Sequence, residues 1–249
     1  MNLKQKLNTN SNTIGSWITI PNNSIVEIMS VGSFDWLAID MEHSSITNDQ
    51  CQNLILAIES KKICPLVRVA SNSSDKIKTA MDSGAHGIIV PMINSAKDAK
   101  RAVDYAKYAP LGKRGVGLSR AQNYGFEFDK YKLWQENESI IIAQIEHIEA
   151  IKNIEEIIFT QGIDGIIIGP YDLSASLGDA GNFNNNEFKN AIKKIETTCK
   201  INSFPIGYHV IEPNINEVKT KMKEGYSFIG FSIDFLFLGH KIKEQFKIY

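Results

Sequence analysis

Short apolar runs recur along the chain, separated by amphipathic stretches. Eight of them read as strands: SWITI (16–20), WLAID (36–40), PLVRV (65–69), HGIIVPM (86–92), IIIAQIE (140–146), DGIIIGP (164–170), PIGYHV (205–210) and FIGFSI (228–233). They are nearly continuous rather than alternating, as expected of parallel strands covered on their outer face. Between them apolar residues return at helical spacing, as in Ile25, Ile28 and Met29, or Cys51, Leu54, Ile55 and Ile58. Gly32, Gly84, Gly162 and Gly225 fall where a helix ends before the next strand. Eight strand–helix units in a chain of this size predict a (β/α)8 TIM barrel, one domain over residues 1–249. A doubly wound open sheet is the alternative, but GSWITIPNNS lacks the glycine fingerprint its first turn would need. Residues 110–139, after the fourth strand and its helix, are too long for an ordinary connection. They are expected to form a functional loop with short helices.

Composition narrows the class. The chain has 249 residues, 43% of them hydrophobic, enough for one large core. With 27 basic against 28 acidic residues there is no electrostatic footprint for nucleic acid or an anionic membrane. Three scattered cysteines, Cys51, Cys64 and Cys199, argue against a disulfide framework or a structural zinc site. The start, MNLKQKLNTNSN, has no apolar signal region, and no run approaches membrane-spanning length. A cytoplasmic protein is expected.

In such a barrel the chemistry sits at the C-terminal ends of strands. Those ends carry Asp40 with Glu42 and His43, Arg68, Gln144 with Glu146, Asp172, His209 and Asp234. The opposite ends are mostly Pro, Gly and aliphatic, apart from Asp35, His86 and Asp164. That asymmetry predicts an enzyme. Glu146 and Asp172 lie on adjacent strands and can converge; carboxylates without cysteines suit a hard divalent cation. Either could instead cap a helix, Asp172 especially. Arg68 ends an apolar strand, so it is either a fork for a substrate oxygen or an internal ion-pair partner of Asp40. His43, three residues after Asp40, is a candidate for proton transfer. None of the eight runs holds a lysine, which argues against a Schiff-base aldolase and towards metal activation. GKRGVG (112–117) follows no strand and lacks the P-loop order, so no nucleotide cofactor is implied. His86, His147 and His240 read as structural.

Taken together, DWLAIDMEHSS, PLVRV, MDSGAHGIIVPMINSAKDAKRAV, YAPLGKRGVG, AQIEH, GIDGIIIGPYDLSASLG and FIGFSIDFLFL resemble the HpcH/HpaI family of class II, metal-dependent pyruvate aldolases, from about Gly15 onward. The resemblance implies that Glu146 and Asp172 hold a divalent metal (Mg2+, Mn2+ or Co2+). Gln144 and the amides around Tyr171 and Asp172 would bind pyruvate, and Arg68 would stabilise the enolate. His43 linked to Asp40 would move protons, and Asp82 would raise that histidine's basicity; Glu42 is set aside. Trp17 matches a pocket position. The resemblance also implies a homo-oligomer, a hexamer with C-terminal helices exchanged between neighbours, which the apolar FLFL at 235–238 suits. Two departures, Tyr171 where the family has alanine and His209 where an aliphatic residue is common, suggest a different aldehyde partner, hydroxylated or sugar-like. A citryl- or malyl-CoA lyase, or a non-catalytic barrel binding pyruvate or oxaloacetate, are the competing expectations.

Overall fold

Successive residues of a strand point to opposite faces, and here both faces are buried. In the computed structural model, which describes residues 1–246, eight parallel strands close into a barrel in sequential order. They are β1 (Thr13–Ile18), β2 (Trp36–Asp40), β3 (Cys64–Arg68), β4 (Gly87–Val90), β5 (Ile140–Ile145), β6 (Gly165–Ile168), β7 (Ile206–Val210) and β8 (Phe228–Ile233). The expected domain ran to position 249; residues 247–249 lie outside the described residues. Leu37, Ile39, Val67, Ile88, Ile141, Ile166 and Ile168 face outward into the core beneath the helices. Trp36, Ala38, Leu66, Ile89, Ile140, Ile142, Ile167 and Phe228 form a separate inner cluster. This double burial is why the runs read as continuous rather than alternating.

Each inward column changes character along its strand. Trp36 and Ala38 are followed two residues later by Asp40, Leu66 by Arg68, and Ile140 and Ile142 by Gln144. The lower barrel is therefore apolar and the upper end polar. Close packing of the lower half depends on Gly15, where a Cβ would lie 1.9 Å from the Trp36 ring. Without it Trp36 fills the barrel and stacks on Phe228, centroids 4.3 Å apart.

The N-terminal helix Leu3–Asn8 closes the lower mouth, adding Leu3 and Leu7 to the inner cluster. Lys4 pairs with Asp164 and Lys6 with Asp35. Those two carboxylates also accept backbone N–H groups, Ile141 to Asp164 at 2.8 Å and Ile14 to Asp35 at 2.9 Å. The acids at the strand starts thus fasten the plug.

Residues 110–139 contain a 3-10 segment, Arg120–Gly125, and a helix, Phe128–Asn137. They pack at the lower mouth: Arg120 bonds Glu59 and the Ser83 carbonyl, and Tyr131 reaches the Met81 carbonyl. The expected short helices are present, at the end of the barrel opposite the strand tips. A connection from a helix to the next strand of a parallel barrel runs at the end where strands begin.

The C-terminal helix Asp234–Phe246 is anchored by Asp234, which is fully buried. Its carboxylate accepts the Thr19 and Ile20 N–H groups at 2.7 and 2.9 Å and the Thr19 hydroxyl at 2.6 Å. Farther along, Phe235, Leu238, Ile242 and Phe246 form an exposed apolar stripe at spacings of three and four. Among the described residues, no helix is long and apolar enough to cross a membrane.

Candidate active site

Asp40 and Arg68 are register partners across β2 and β3. Arg68 Nε donates to Asp40 Oδ1 at 2.9 Å and Nη2 to Oδ2 at 2.7 Å, a bidentate pair. The guanidinium lies over the Trp17 ring, 4.5 Å from its centroid. Asp40 Oδ1 also accepts the Glu42 and His43 backbone N–H groups at 3.0 and 3.2 Å. Burial alone would raise the Asp40 carboxyl, but the Arg68 fork, its charge and the two amides hold it below the usual range. Of the two readings open for Arg68, the internal ion pair is present.

The expected Asp40–His43 pairing is not formed through the imidazole. Asp40 holds the backbone of His43, while the ring is 62% exposed at the mouth, with Nε2 3.7 Å from Glu42 Oε2. Glu42, set aside from sequence, stands inside the site. Its side chain is 16% exposed, and Oε2 lies 3.4 Å from Arg68 Nε, buried and without a hydrogen-bond partner among the described residues. Burial pushes its carboxyl up to about 7, opposed by Arg68 and helped by the nearby charges of Asp40 and Asp172. The signal was available: Glu42 continues the inward column 36, 38, 40 by one further step of two.

Glu146, just past β5, is almost fully buried. Its Oε1 accepts the Met92 N–H at 2.7 Å and its Oε2 accepts from the Gln144 amide. Burial, with Glu42 and Asp172 nearby, raises its carboxyl to about 7. Gly169 makes room for it, since a Cβ there would lie 3.0 Å from Glu146 Oε2. Asp172 sits exposed in the first turn of helix Pro170–Ser176.

Among the described residues, no three His, Cys, Asp or Glu side chains converge closely enough to hold a metal ion alone. The residues nevertheless fit a hard divalent cation supplied with only two protein ligands. The donors are all carboxylate oxygens, Glu42 Oε2 is buried with no hydrogen-bond partner among the described residues, and Gly169 leaves a gap beside Glu146. Mg2+-type cations take one or two carboxylates and complete their shell with water and substrate oxygens.

Two further candidates are His209, near Arg68, and Tyr171. His209 on β7 lies 5.5 Å from Trp17 between ring centroids, with Nε2 3.3 Å from the Ser232 carbonyl. Burial, then the Arg68 charge, lowers its pKa to about 4, so the ring is neutral. Tyr171 is half-exposed and packs edge-on against Phe183 at 5.2 Å. Asp82 does not join them. It ends helix Ser74–Asp82 at the lower mouth and pairs with Arg114 Nη2 at 3.1 Å. Within this chain it does not meet His43, because helices of the barrel run opposite to the strands and end far from the strand tips.

Comparison with known proteins places this arrangement. Residues 13–240 match the HpcH/HpaI aldolase/citrate lyase family. A 2-dehydro-3,6-dideoxy-6-sulfogluconate aldolase of Pseudomonas putida is 33% identical over 96% of this chain and 92% of its own. A 2-keto-3-deoxy-L-rhamnonate aldolase of Salmonella gallinarum is 32% identical over 93% of this chain and 86% of its own. The crystal structure of an HpcH/HpaI aldolase/citrate lyase family protein from Burkholderia cenocepacia superposes with a TM-score of 0.92 at 27% identity, covering 98% of this chain and 97% of the other. The chain belongs to the HpcH/HpaI aldolase/citrate lyase family.

Proposed function

We propose that this protein is a metal-dependent aldolase that makes or breaks the bond joining the methyl carbon of pyruvate to an aldehyde carbon. The observation carrying this reading is the gathering of the Asp40–Arg68 fork, Glu42, Gln144 and Glu146 at one barrel mouth, with Asp172 beside them. Sugar-acid aldolases among the relatives support it over a citryl- or malyl-CoA lyase or a non-catalytic binder. Glu146 and Asp172 are the proposed metal ligands, with Mg2+, Mn2+ or Co2+ as the cation. Bound there, a divalent cation acts as a Lewis acid that polarises the keto group and lowers the free energy of the enolate.

The chain's own residues then do the following. Gln144 and the amides at Tyr171 and Asp172 seat the pyruvate half. Arg68, fixed by Asp40 beneath and Trp17 behind, presents a fixed positive charge to the oxyanion that develops. His43, at the mouth and 3.7 Å from Glu42, takes the proton of the C4 hydroxyl. The C3–C4 electron pair passes to the pyruvate half as the aldehyde leaves, and a proton returned to C3 completes pyruvate. Within this chain Asp82 is bound to Arg114.

The exposed stripe on the C-terminal helix supports a homo-oligomer, proposed as a hexamer with that helix packed on a neighbour. A cytoplasmic site of action is proposed with it. A panel of 2-oxo-4-hydroxy acids, with pyruvate release followed by coupled lactate dehydrogenase over several metals, tests the reading. Turnover lost with EDTA and restored by cation is expected; no pyruvate from any member with every metal would overturn it.

A further inference from the structure

Alternation along a strand gives Asp40 and Arg68 neighbours that face the other way. Asp40, Glu42 and Arg68 stand on the inner face of the barrel, so Met41, Val67 and Val69 turn outward, towards the helices. There they line a cavity of about 330 Å3 between helices Asn48–Ser60 and Ser74–Asp82. Asp40, Glu42, Arg68, Gln144 and Glu146 take no part in its lining. The cavity and the strand-tip mouth are therefore the two sides of one piece of backbone. β2 and β3 hold that piece in register, and beyond it the Met41 N–H donates to the Arg68 carbonyl at 2.9 Å.

The lining is chemically divided. Val67, Val69, Cys51 and Ala80 are buried and form an apolar floor. Burial pushes the Cys51 thiol up to about 12, so it stays neutral. Asn48 and Lys76 are exposed and stand in the first turns of the two helices, hence together at the strand-tip end of the cavity. Lys76 is the single ionised side chain among the lining residues. Its Nζ has Asp75 3.9 Å away, an exposed pairing of little strength. One cation with an acidic neighbour favours a monoanion over a dianion, and the Asn48 amide offers a donor to a second oxygen. At ~30 Å3 for each water-sized group, the volume holds about ten heavy atoms.

We propose that this cavity is a second binding site, that it takes a small monocarboxylate with an apolar body, and that its occupant acts on the Asp40–Arg68 pair through Met41, Val67 and Val69. Binding stands apart from the aldolase reading; the effect on catalysis rests on it. A ligand that seats the Met41 side chain bears on Asp40 and Glu42 on either side of it. It changes the rate to the extent that it prefers one arrangement of that backbone over another.

The test is calorimetric titration of the metal-loaded full chain, with pyruvate saturating the strand-tip mouth, by 4-methylpentanoate and by its amide. The carboxylate should bind and the amide should bind about tenfold more weakly. Lys76→Gln should weaken the carboxylate by a similar factor, and Ala80→Leu, which fills the floor, should abolish its binding. No binding of the carboxylate at millimolar concentration, equal binding of the amide, or affinity unaltered in both variants overturns the site. Exchange of the pyruvate methyl protons with deuterium, followed by NMR, reads the coupling. Its rate should change about fivefold or more when the acid saturates the wild-type chain, and should not respond in Ala80→Leu. Binding with unchanged exchange overturns the coupling alone. Absence of exchange under every condition overturns the aldolase reading and the coupling with it, while the titration still decides the site.

Discussion

Arg68 is clamped from two sides, by the Asp40 carboxylate at 2.7 and 2.9 Å and by the Trp17 ring 4.5 Å from its Cζ. A guanidinium so held cannot turn away from the mouth, which is what electrostatic stabilisation of a developing oxyanion needs. Arg68→Lys keeps the charge but loses the fork and the planar stack. It is expected to lower kcat about 100-fold. Asp40→Asn removes the bidentate partner of a mostly buried charge, leaving it Glu42 at 3.4 Å, and should lower stability by about 3 kcal/mol, measured by urea denaturation. A variant of Asp40 with wild-type stability would mean the pair is not the clamp described.

Room beside Glu146 is the next dependence. Gly169→Ala places a methyl group 3.0 Å from Glu146 Oε2 and should push that carboxylate out of line. Affinity for Mn2+, measured calorimetrically, is expected to fall about tenfold or more. Unchanged affinity would remove Glu146 from the metal's coordination.

The buried imidazole of His209 makes stability depend on pH. Burial and the Arg68 charge lower its pKa to about 4, below the ordinary 6.5. Between those values the unfolded chain binds a proton that the folded chain refuses, so this contribution is intact above about 6.5 and is lost as pH falls towards 4. His209→Gln should flatten that part of the profile of urea midpoints; a slope identical to wild type would show that another group causes it.

The plug is separable from the chemistry. Leu7 is fully buried in the inner cluster, at the end opposite Arg68. Leu7→Ala should cost about 2–5 kcal/mol of stability and leave kcat/KM at 25 °C unaltered. A large fall in kcat/KM would couple the two mouths.

The apolar stripe makes a claim about assembly. Ile242→Glu, in the middle of the exposed face of the C-terminal helix, should reduce the mass found by light scattering while far-UV circular dichroism stays native. An unchanged mass would place any subunit contact elsewhere.

The barrel was legible because both faces of every strand are buried, and double burial writes itself as continuous apolar runs. β8 falls on FIGFSI and β2 on WLAID without adjustment. The plug was not read, although Leu3 and Leu7 are spaced for one helix face, because six residues carry too little pattern to stand out. The 110–139 insertion was recognised by length, but its location follows from connection order rather than composition.

Sequence alone determined the architecture and the polar strand tips, since period, position on a parallel strand and residue identity need no coordinates. Only the tertiary structure decided the pairings. Asp40 joins Arg68 rather than the imidazole of His43, because adjacent strands in register bring residues 28 apart to within a hydrogen bond. Glu42 returns to the site and Asp82 leaves it for Arg114, because closure of the barrel, not distance along the chain, sets which side chains share a mouth.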